Sequence, residues 1–393
     1  MKITHWDILH GDFGWRSISF LKLGTADGIV GWAEYTDGQG SSNTGISSIV
    51  GALAGRVIGE DPRRIEAIIA KLGSLTAQVP GGLNQQAIAA IVNALIDIKA
   101  KALGLPVRDL LGGSLRERVP LYWSHCASYR ARYPKDLGTA PLKTYDDLFR
   151  IGEEVRNKGF RALKTNVLLP GEERIDAYRP GRGVGAGYPA LNPSRAIEEA
   201  VLRQIAALRQ GAGEDVEIYL DLNLNFRPEG YLRLARALEG AGLAWLELDI
   251  ADPATLAMIR QSCGTPIASL ENGYGRRGYR PFFEALSVDI AIIDVIWNGY
   301  VEALKVAALA DGHDVNVAPH NYFGHLADFI SAQFSAAVPN LRVMEMDVDG
   351  VPWRGEFYTH LPEIEDGAMV LPDRPGWGTE IVEAAVRARP PKG

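Results

Sequence analysis

Charged and polar side chains close a series of short apolar runs along most of this sequence. From Asp221 onward, the steps between successive closing residues are 26, 24, 23, 26 and 25 residues. An apolar strand buried in a sheet does not itself need a charged residue at its end, so this regular repetition indicates that the closing residues serve a common site. They are Lys164 with Asn166, Asp221 with Asn223, Glu247, Glu271, Asp294, His320 and Glu345.

Three consecutive members of this series, Asp221, Glu247 and Glu271, are carboxylates. Three anions held close together repel one another unless something neutralises them. A separate salt bridge or helix cap would explain any one of them, but it does not explain three in step. A set of oxygen ligands suits Mg²⁺, which also keeps water or substrate oxygens in its shell. The sequence therefore predicts that these three residues bind Mg²⁺.

Two different base candidates flank the three carboxylates. Lys164 precedes them along the chain and His320 follows them, with Asp294 one step before His320. A carboxylate in that position can accept a hydrogen bond from the imidazole and fix its tautomer. Repulsion from a bound Mg²⁺ would lower the pKa of Lys164 and make a neutral amine accessible. We therefore expect Lys164, Asp294 and His320 to be catalytic.

The runs that carry these residues must be held so that their ends meet. Helical patterns such as SRAIEEAVLRQIAALRQ and VEALKVAALADG separate most of the runs, which gives a strand–helix order. Eight such units predict parallel strands closed into an α/β barrel, whose carboxyl ends all open on one mouth. The eight runs are VPLYWSH, FRALKTN, VEIYLDLN, LAWLELD, PIASLEN, VDIAIIDV, DVNVAPHN and LRVMEMD.

The first part of the chain has a different pattern. Two apolar runs joined by Ala26-Asp27-Gly28 predict a β-hairpin. The stretch NQQAIAAIVNALIDIKAKALG has apolar residues at helical spacing, and Gly104 with Pro106 ends it. This pattern predicts a small α+β unit that ends near LLGGSLRERVPLY.

Composition excludes several classes of function. The chain has 393 residues, 47% of them hydrophobic, and a formal net charge of −7. A mildly acidic protein lacks the cationic surface that nucleic acids and anionic membranes require. Two cysteines far apart predict neither a disulfide framework nor a metal motif. With no signal-peptide pattern and no apolar run of spanning length, we expect a cytoplasmic protein.

One interval, residues 170–195, is longer than the others. Its glycine-rich stretch 183–187 follows a Pro/Arg-rich loop rather than a strand, which argues against a nicotinamide dehydrogenase. The interval is interpreted as a surface loop. An alternative is a lid over the barrel mouth that brings Arg179 or Arg182 to an anionic substrate.

Together these residues resemble the enolase superfamily, and within it the mandelate racemase and muconate lactonizing enzyme type. The resemblance covers nearly the whole chain and matches an ordered set of metal carboxylates, a second-strand lysine, an Asp–His dyad and an eighth-strand glutamate. It implies a modified TIM (β/α) barrel over residues 119–359 and an N-terminal α+β capping domain over residues 1–118. A C-terminal segment of about 360–393 would pack back on the cap.

Two positions depart from the family pattern. Asn166 stands where racemase-like members often have a second lysine, and Leu248-Asp249 follows Glu247 where the family commonly has Glu-x-Pro. The first departure leaves one second-strand base and adds a neutral hydrogen-bonding group. In this family the regions near 12–15 and 39–44 would cover the mouth and set specificity.

The resemblance implies removal of the proton α to a carboxylate, with Mg²⁺ stabilising the resulting enediolate. We expect dehydration of an acid sugar, an aldonate or aldarate, to a 2-keto-3-deoxy acid. Epimerisation, racemisation or cycloisomerisation of a related carboxylate is the alternative, and a binding protein without turnover is a further one. The resemblance also implies a homo-oligomer. Polar residues that suit a polyhydroxylated substrate are Asn166, Asn223, Glu345, His125, Tyr129 and Asn321.

Overall fold

The computed structural model describes residues 1–36, 43–180 and 193–392. The glycine-rich stretch 183–187, Arg182 and most of the predicted mouth-covering region 39–44 lie outside the described residues. Within them the strands are β1 (Ile3–Asp12), β2 (Ser17–Thr25), β3 (Val30–Tyr35), β4 (Arg118–Ser124), β5 (Ala162–Asn166), β6 (Leu168–Pro170), β7 (Ile175–Ala177), β8 (Glu217–Asp221), β9 (Leu243–Glu247), β10 (Ile267–Ser269), β11 (Ile290–Asp294), β12 (Asn316–His320), β13 (Met344–Asp347), β14 (Glu363–Glu365) and β15 (Ala368–Val370).

The α-helices of the described chain include one or two between each pair of successive strands from β8 to β13. They are α1 (Thr44–Ala54), α2 (Ile65–Leu75), α3 (Gly82–Leu103), α4 (Ser128–Arg132), α5 (Pro134–Leu137), α6 (Tyr145–Asn157), α7 (Arg195–Ala212), α8 (Pro228–Ala237), α9 (Pro253–Gln261), α10 (Gly275–Glu284), α11 (Val295–Asn298), α12 (Tyr300–Asp311), α13 (His325–Ala337) and α14 (Glu383–Ala388).

The N-terminal unit is an antiparallel sheet, β1–β2–β3, covered by α1 and α3, and α2 packs on α3. The predicted hairpin turn joins β2 to β3. Helix α3 ends as predicted, because Gly104 takes the left-handed conformation at its C-terminus, with φ of 69°. Every residue of α3 from 86 to 98 is buried, since one side of the helix packs on β3 and another on α11, which belongs to the C-terminal part of the chain. Tyr300 N donates to Asn93 Oδ1 at 2.8 Å across that contact.

All eight predicted runs form strands of one parallel barrel, so the predicted fold class is confirmed. The order is β4–β5–β8–β9–β10–β11–β12, and β13 returns to pair in parallel with β4. Backbone hydrogen bonds join β12 to the segment that leads into β13 and so complete the barrel. Val317 N donates to Asn340 O and Val317 O accepts from Arg342 N, both at 2.8 Å. The barrel is modified because no α-helix directly follows β13 and an antiparallel hairpin, β14–β15, is added beside β4.

Three aromatic side chains fill the barrel beneath its mouth. The rings of Tyr219 and Trp245 stack with centroids 3.5 Å apart, and Tyr122 meets both edge-on at 5.3 and 5.7 Å. Alternate residues of a barrel strand point inward, so Tyr219 and Asp221 of β8 share the interior face at successive levels. The aromatic layer therefore supports the polar residues above it.

The C-terminal segment returns to the N-terminal sheet. Asp12 N donates to Arg389 O at 2.9 Å, and Lys22 of β2 forms an ion pair with Glu383 of α14. The predicted domain bounds, 1–118 and 119–359 with a returning segment of about 360–393, remain predictions. No helix within residues 1–36, 43–180 and 193–392 is long and apolar enough to cross a membrane.

Candidate active site

Strand register brings the closing residues to one level of the barrel mouth. Asn166 pairs with Asp221, and Asp221 pairs with Glu247, on the adjacent strands β5, β8 and β9. On the other side, Asp294 of β11 pairs with His320 of β12. The parallel register therefore sets neighbouring strand ends side by side.

The carboxylates of Asp221, Glu247 and Glu271 lie at the ends of three consecutive strands. Glu247 pairs with Ala268 on β10, and Glu271 follows two residues after that short strand ends. Among the described residues, no three Asp, Glu, His or Cys side chains surround one point closely enough to hold a metal ion. Both oxygens of Asp221, one oxygen of Glu247 and one of Glu271 have protein partners, which are described below.

Side-chain amides and the backbone donate to the Asp221 carboxylate. Asn166 Nδ2 lies 3.0 Å and Asn223 Nδ2 lies 2.7 Å from Asp221 Oδ2, and Asn223 N donates to Oδ1 at 2.7 Å. Asn223 is held in the left-handed region with φ of 48°, a conformation that asparagine tolerates better than most residues. Asn166 and Asn223, two of the three asparagines predicted to bind substrate, also line the cavity described below.

Lys164 forms two ion pairs inside the barrel. Its Nζ lies 2.9 Å from Glu247 Oε1 and 3.0 Å from Glu345 Oε1, and all three side chains are almost fully buried. Burial alone would lower the pKa of Lys164, but the carboxylates of Glu247 and Glu345 outweigh burial and raise that pKa well above its ordinary value. The predicted lowering of the Lys164 pKa applies to the magnesium-bound site and remains a prediction.

Glu247 has one oxygen that is buried without a hydrogen-bond partner, Oε2. Burial, together with the carboxylates of Asp221 and Glu271, raises the pKa of Glu247. An orphaned buried carboxylate oxygen is costly unless something binds it. An oxygen-only donor set with one oxygen unused therefore fits a hard cation such as Mg²⁺.

His320 and Asp294 form a buried dyad. His320 Nδ1 lies 2.7 Å from Asp294 Oδ2, and Trp297 N donates to the other oxygen, Oδ1, at 2.6 Å. The second ring nitrogen, Nε2, is 3.4 Å from Glu271 Oε2. Burial alone would lower the pKa of His320, but the carboxylates of Glu271, Asp294 and Glu345 outweigh burial and raise it to about 10.

His125 and Tyr129 stack on each other with ring centroids 4.1 Å apart. His125 Nδ1 lies 2.9 Å from Asp347 Oδ1, and the Tyr129 hydroxyl accepts a hydrogen bond from Arg16 at 3.3 Å. Both line the cavity. The stack lies where the loop after β4 meets the loop between β1 and β2.

Glu345 lines the cavity, but Asn321 does not belong to its lining. Asn321 is fully buried, and its amide donates to Asp328 Oδ1 at 2.7 Å and to Glu345 O at 3.2 Å. Its backbone N–H donates to Glu345 Oε2 at 2.7 Å. In this structure Asn321 therefore holds the loop after β12 and orients Glu345, and its contact with substrate remains a prediction.

The strand ends open into a cavity of about 910 Å³. Its outer wall comes from the β1–β2 loop, the first turns of α3 and the segment around α4. The predicted mouth-covering stretch 12–15 contributes Trp15, which stacks on Tyr133 at 4.6 Å. Arg179 also lines this wall, whereas residues 181–192 lie outside the described part of the chain.

Sequence reasoning missed three charged residues near this cavity, Arg16, Asp249 and Asp347. Asp249 and Asp347 stand two positions after Glu247 and Glu345. Because residues two apart in a strand share a face, this spacing could have placed both aspartates on the same side as the two glutamates. Burial and the carboxylates of the neighbouring strands raise the pKa of Asp249 well above its ordinary value. Arg16 gave no signal, because only the docking of the N-terminal unit brings it to the barrel.

Comparisons with known proteins agree with this architecture. Residues 9–112 match the family described as mandelate racemase / muconate lactonizing enzyme, N-terminal domain. Residues 150–385 match the family described as enolase C-terminal domain-like. Together the two matches account for most of the chain.

Three relatives illustrate the similarity. The D-galactarolactone cycloisomerase of Agrobacterium fabrum is 30% identical, over 94% of this chain and 90% of the relative. The D-xylonate dehydratase of Haloferax volcanii is 28% identical, over 98% and 88%. A crystal structure of a protein described as a putative L-alanine-DL-glutamate epimerase of Burkholderia xenovorans, bound to magnesium and fumarate, is 47% identical. It superposes with a TM-score of 0.96 over 100% of this chain and 96% of that one.

Proposed function

Because this chain belongs to the mandelate racemase and muconate lactonizing enzyme group of the enolase superfamily, we propose that it removes the proton α to the carboxylate of a small acid. The observation that carries the proposal is the pairing of two buried base candidates with three strand-end carboxylates. Lys164 lies on one side of the three carboxylates, and the His320–Asp294 dyad lies on the other side. Burying two ionisable groups costs free energy, and a binding protein without turnover does not need an acid and a base at its site.

We propose that Asp221, Glu247 and Glu271 hold Mg²⁺. The unpartnered Oε2 of Glu247 and the oxygen-only donor set support this assignment. When bound, the cation would stabilise the negative charge that develops on the substrate carboxylate as its α-proton leaves. The magnesium reported in the Burkholderia xenovorans relative supports it further.

Lys164 and His320 are proposed as the acid and base. Asp294 accepts from the Nδ1 side of the imidazole, which leaves Nε2 to move a proton at the mouth. Asp294 is itself fixed by Trp297 N, so the dyad is oriented before substrate arrives. A group that removes the α-proton and a second group that protonates a leaving hydroxyl are what a dehydration requires.

The substrate is proposed to be an acid sugar, and the reaction its dehydration to a 2-keto-3-deoxy acid. Asn166, Asn223, His125 and Tyr129 line the cavity with hydrogen-bonding groups, which suit several hydroxyls. The relative named as a D-xylonate dehydratase supports this class. The alternative is epimerisation or cycloisomerisation, which the names of the other two relatives favour. Cytoplasmic location and assembly as a homo-oligomer remain predictions.

The test is a screen of the purified protein with Mg²⁺ against aldonic and aldaric acids, with detection of 2-keto acids by semicarbazide. A hit that is lost in His320→Asn and kept in His360→Asn, an exposed histidine, supports dehydration. If no 2-keto acid forms, the same library is incubated in D₂O. Exchange of the α-proton without loss of water would replace dehydration by epimerisation, and no exchange with any acid would refute α-proton removal.

A further inference from the structure

Apart from Lys164 and the two histidines, the charged residues that line the cavity fall into two groups by position. Every acidic residue in the described lining, namely Asp221, Glu271 and Glu345, lies in a barrel strand or directly after one. Three arginines line the cavity from other elements: Arg16 in the β1–β2 loop, Arg132 in α4 and Arg179 after β7. The cavity therefore has an inner end rich in carboxylates and an outer wall that carries guanidinium groups.

Among the described residues, Arg132 has no acidic partner. Within the described part of the chain it forms no ion pair, and its guanidinium carbon lies 4.7 Å over the ring of Tyr133. Tyr133 is in turn stacked on Trp15, so the arginine rests on a rigid aromatic surface. The side chain is half-buried in the cavity wall, where a partner anion is worth more than it is in open water.

Arg16 has a buried acid partner and a fixed position. Its Nη2 lies 3.0 Å from Asp347 Oδ2, and its Nη1 donates to the Tyr129 hydroxyl at 3.3 Å. Its guanidinium carbon is 5.2 Å from the centre of the Tyr322 ring. Arg16 thus adds positive potential to the same wall, although one carboxylate already balances part of its charge.

We propose that this outer wall binds a second carboxylate of the substrate, with Arg132 as the direct contact and Arg16 as a supporting charge. The inference rests on the proposed function, since the first carboxylate is taken to bind at the strand ends. It narrows the substrate from acid sugars in general to dicarboxylic ones. An acid with a neutral terminal CH₂OH would leave the Arg132 guanidinium without an anion in the cavity wall, whereas a terminal carboxylate can accept hydrogen bonds from its planar set of N–H donors.

Binding of unreactive acids tests this subsite without turnover. The full-length protein with saturating Mg²⁺ is titrated calorimetrically with saturated dicarboxylates of four to six carbons, and with monocarboxylates of the same lengths. One dicarboxylate is expected to bind about 10- to 100-fold more tightly than its monocarboxylate, because a charge-assisted hydrogen bond is gained. Arg132→Gln should abolish that preference, and Arg132→Lys should restore part of it. Arg150→Gln, at an exposed arginine of α6, should retain the preference.

Three results would overturn the proposal: equal affinity for both kinds of acid, equal weakening of both by Arg132→Gln, or no saturable binding of any dicarboxylate. Failure of the proposed function is distinguishable from these. If the protein binds dicarboxylates through Arg132 but converts no sugar acid, the subsite is supported and the proposed reaction is refuted. The opposite outcome is a protein that dehydrates aldonates as well as aldarates, with an aldarate-to-aldonate ratio of kcat/KM that Arg132→Gln does not change. That outcome would support the proposed reaction and refute the Arg132 subsite.

Discussion

Replacing Glu34 by glutamine should change how the stability of the protein depends on pH. Glu34 of β3 is fully buried and clamps the N-terminal sheet to the loop that follows the His320 strand. It accepts hydrogen bonds from Gly324 N, from Ala327 N at 3.2 Å and from the Tyr358 hydroxyl at 3.3 Å. This clamp lies across the contact between the two units that enclose the cavity.

The environment of Glu34 disfavours its charged form. Burial, with a smaller effect from Asp328, raises its pKa from 4.5 to about 7, although the N–H groups of Gly324 and Ala327 and the charge of Arg16 act in the opposite direction. Between these two pKa values the folded chain holds a proton that the unfolded chain has released. The free energy of unfolding therefore falls as pH rises from 4.5 to 7, by about 3 kcal/mol at roughly 1.4 kcal/mol per unit.

The assay is denaturant unfolding of the natural protein and of Glu34→Gln at several pH values from 4.5 to 8. Because glutamine does not titrate, the free energy of unfolding of the natural protein should fall by about 3 kcal/mol relative to that of the variant between pH 4.5 and 7. The difference between the two proteins should then stay constant above pH 7. Glu363→Gln, at an exposed position of β14, should follow the natural protein. Curves for the natural protein and Glu34→Gln that stay parallel would refute the assigned environment of Glu34.

Three further predictions concern the site and the barrel. Lys164→Met should lower the free energy of unfolding in EDTA by about 3–5 kcal/mol, because two buried carboxylates lose their cation; a change under 1 kcal/mol would contradict the ion-pair geometry. Asp294→Asn should leave Mg²⁺ affinity unchanged while lowering kcat by about 10²-fold or more and altering its pH profile, whereas unchanged kcat would mean that His320 needs no partner. Gly211→Ala should destabilise the barrel by about 1–3 kcal/mol, since its Cβ would lie 1.9 Å from a carbonyl oxygen of α6. Gly278→Ala, in a helix with open space around it, is the matched control and should be neutral or stabilising in thermal unfolding.

The sequence determined the strands of the barrel and the level at which their ends meet. Each strand is a short apolar run, and each strand–helix unit takes about the same number of residues. The positions of Asp221, Glu247, Asp294 and His320 at the strand ends therefore followed from spacing alone. Parallel register then set neighbouring members side by side, as local periodicity and the direction of the strands require.

Side-chain partners around the site were decided only by the tertiary structure. The ion pairs of Lys164 and the buried hydrogen bonds of the Asn321 side chain depend on how the strands meet around the closed barrel. Arg16 reaches Asp347 across 331 positions of the chain, because the N-terminal sheet docks over the barrel mouth. The residue pattern within either unit does not predict such a contact, because the contact forms only when the surfaces of two units that are far apart in the sequence pack together.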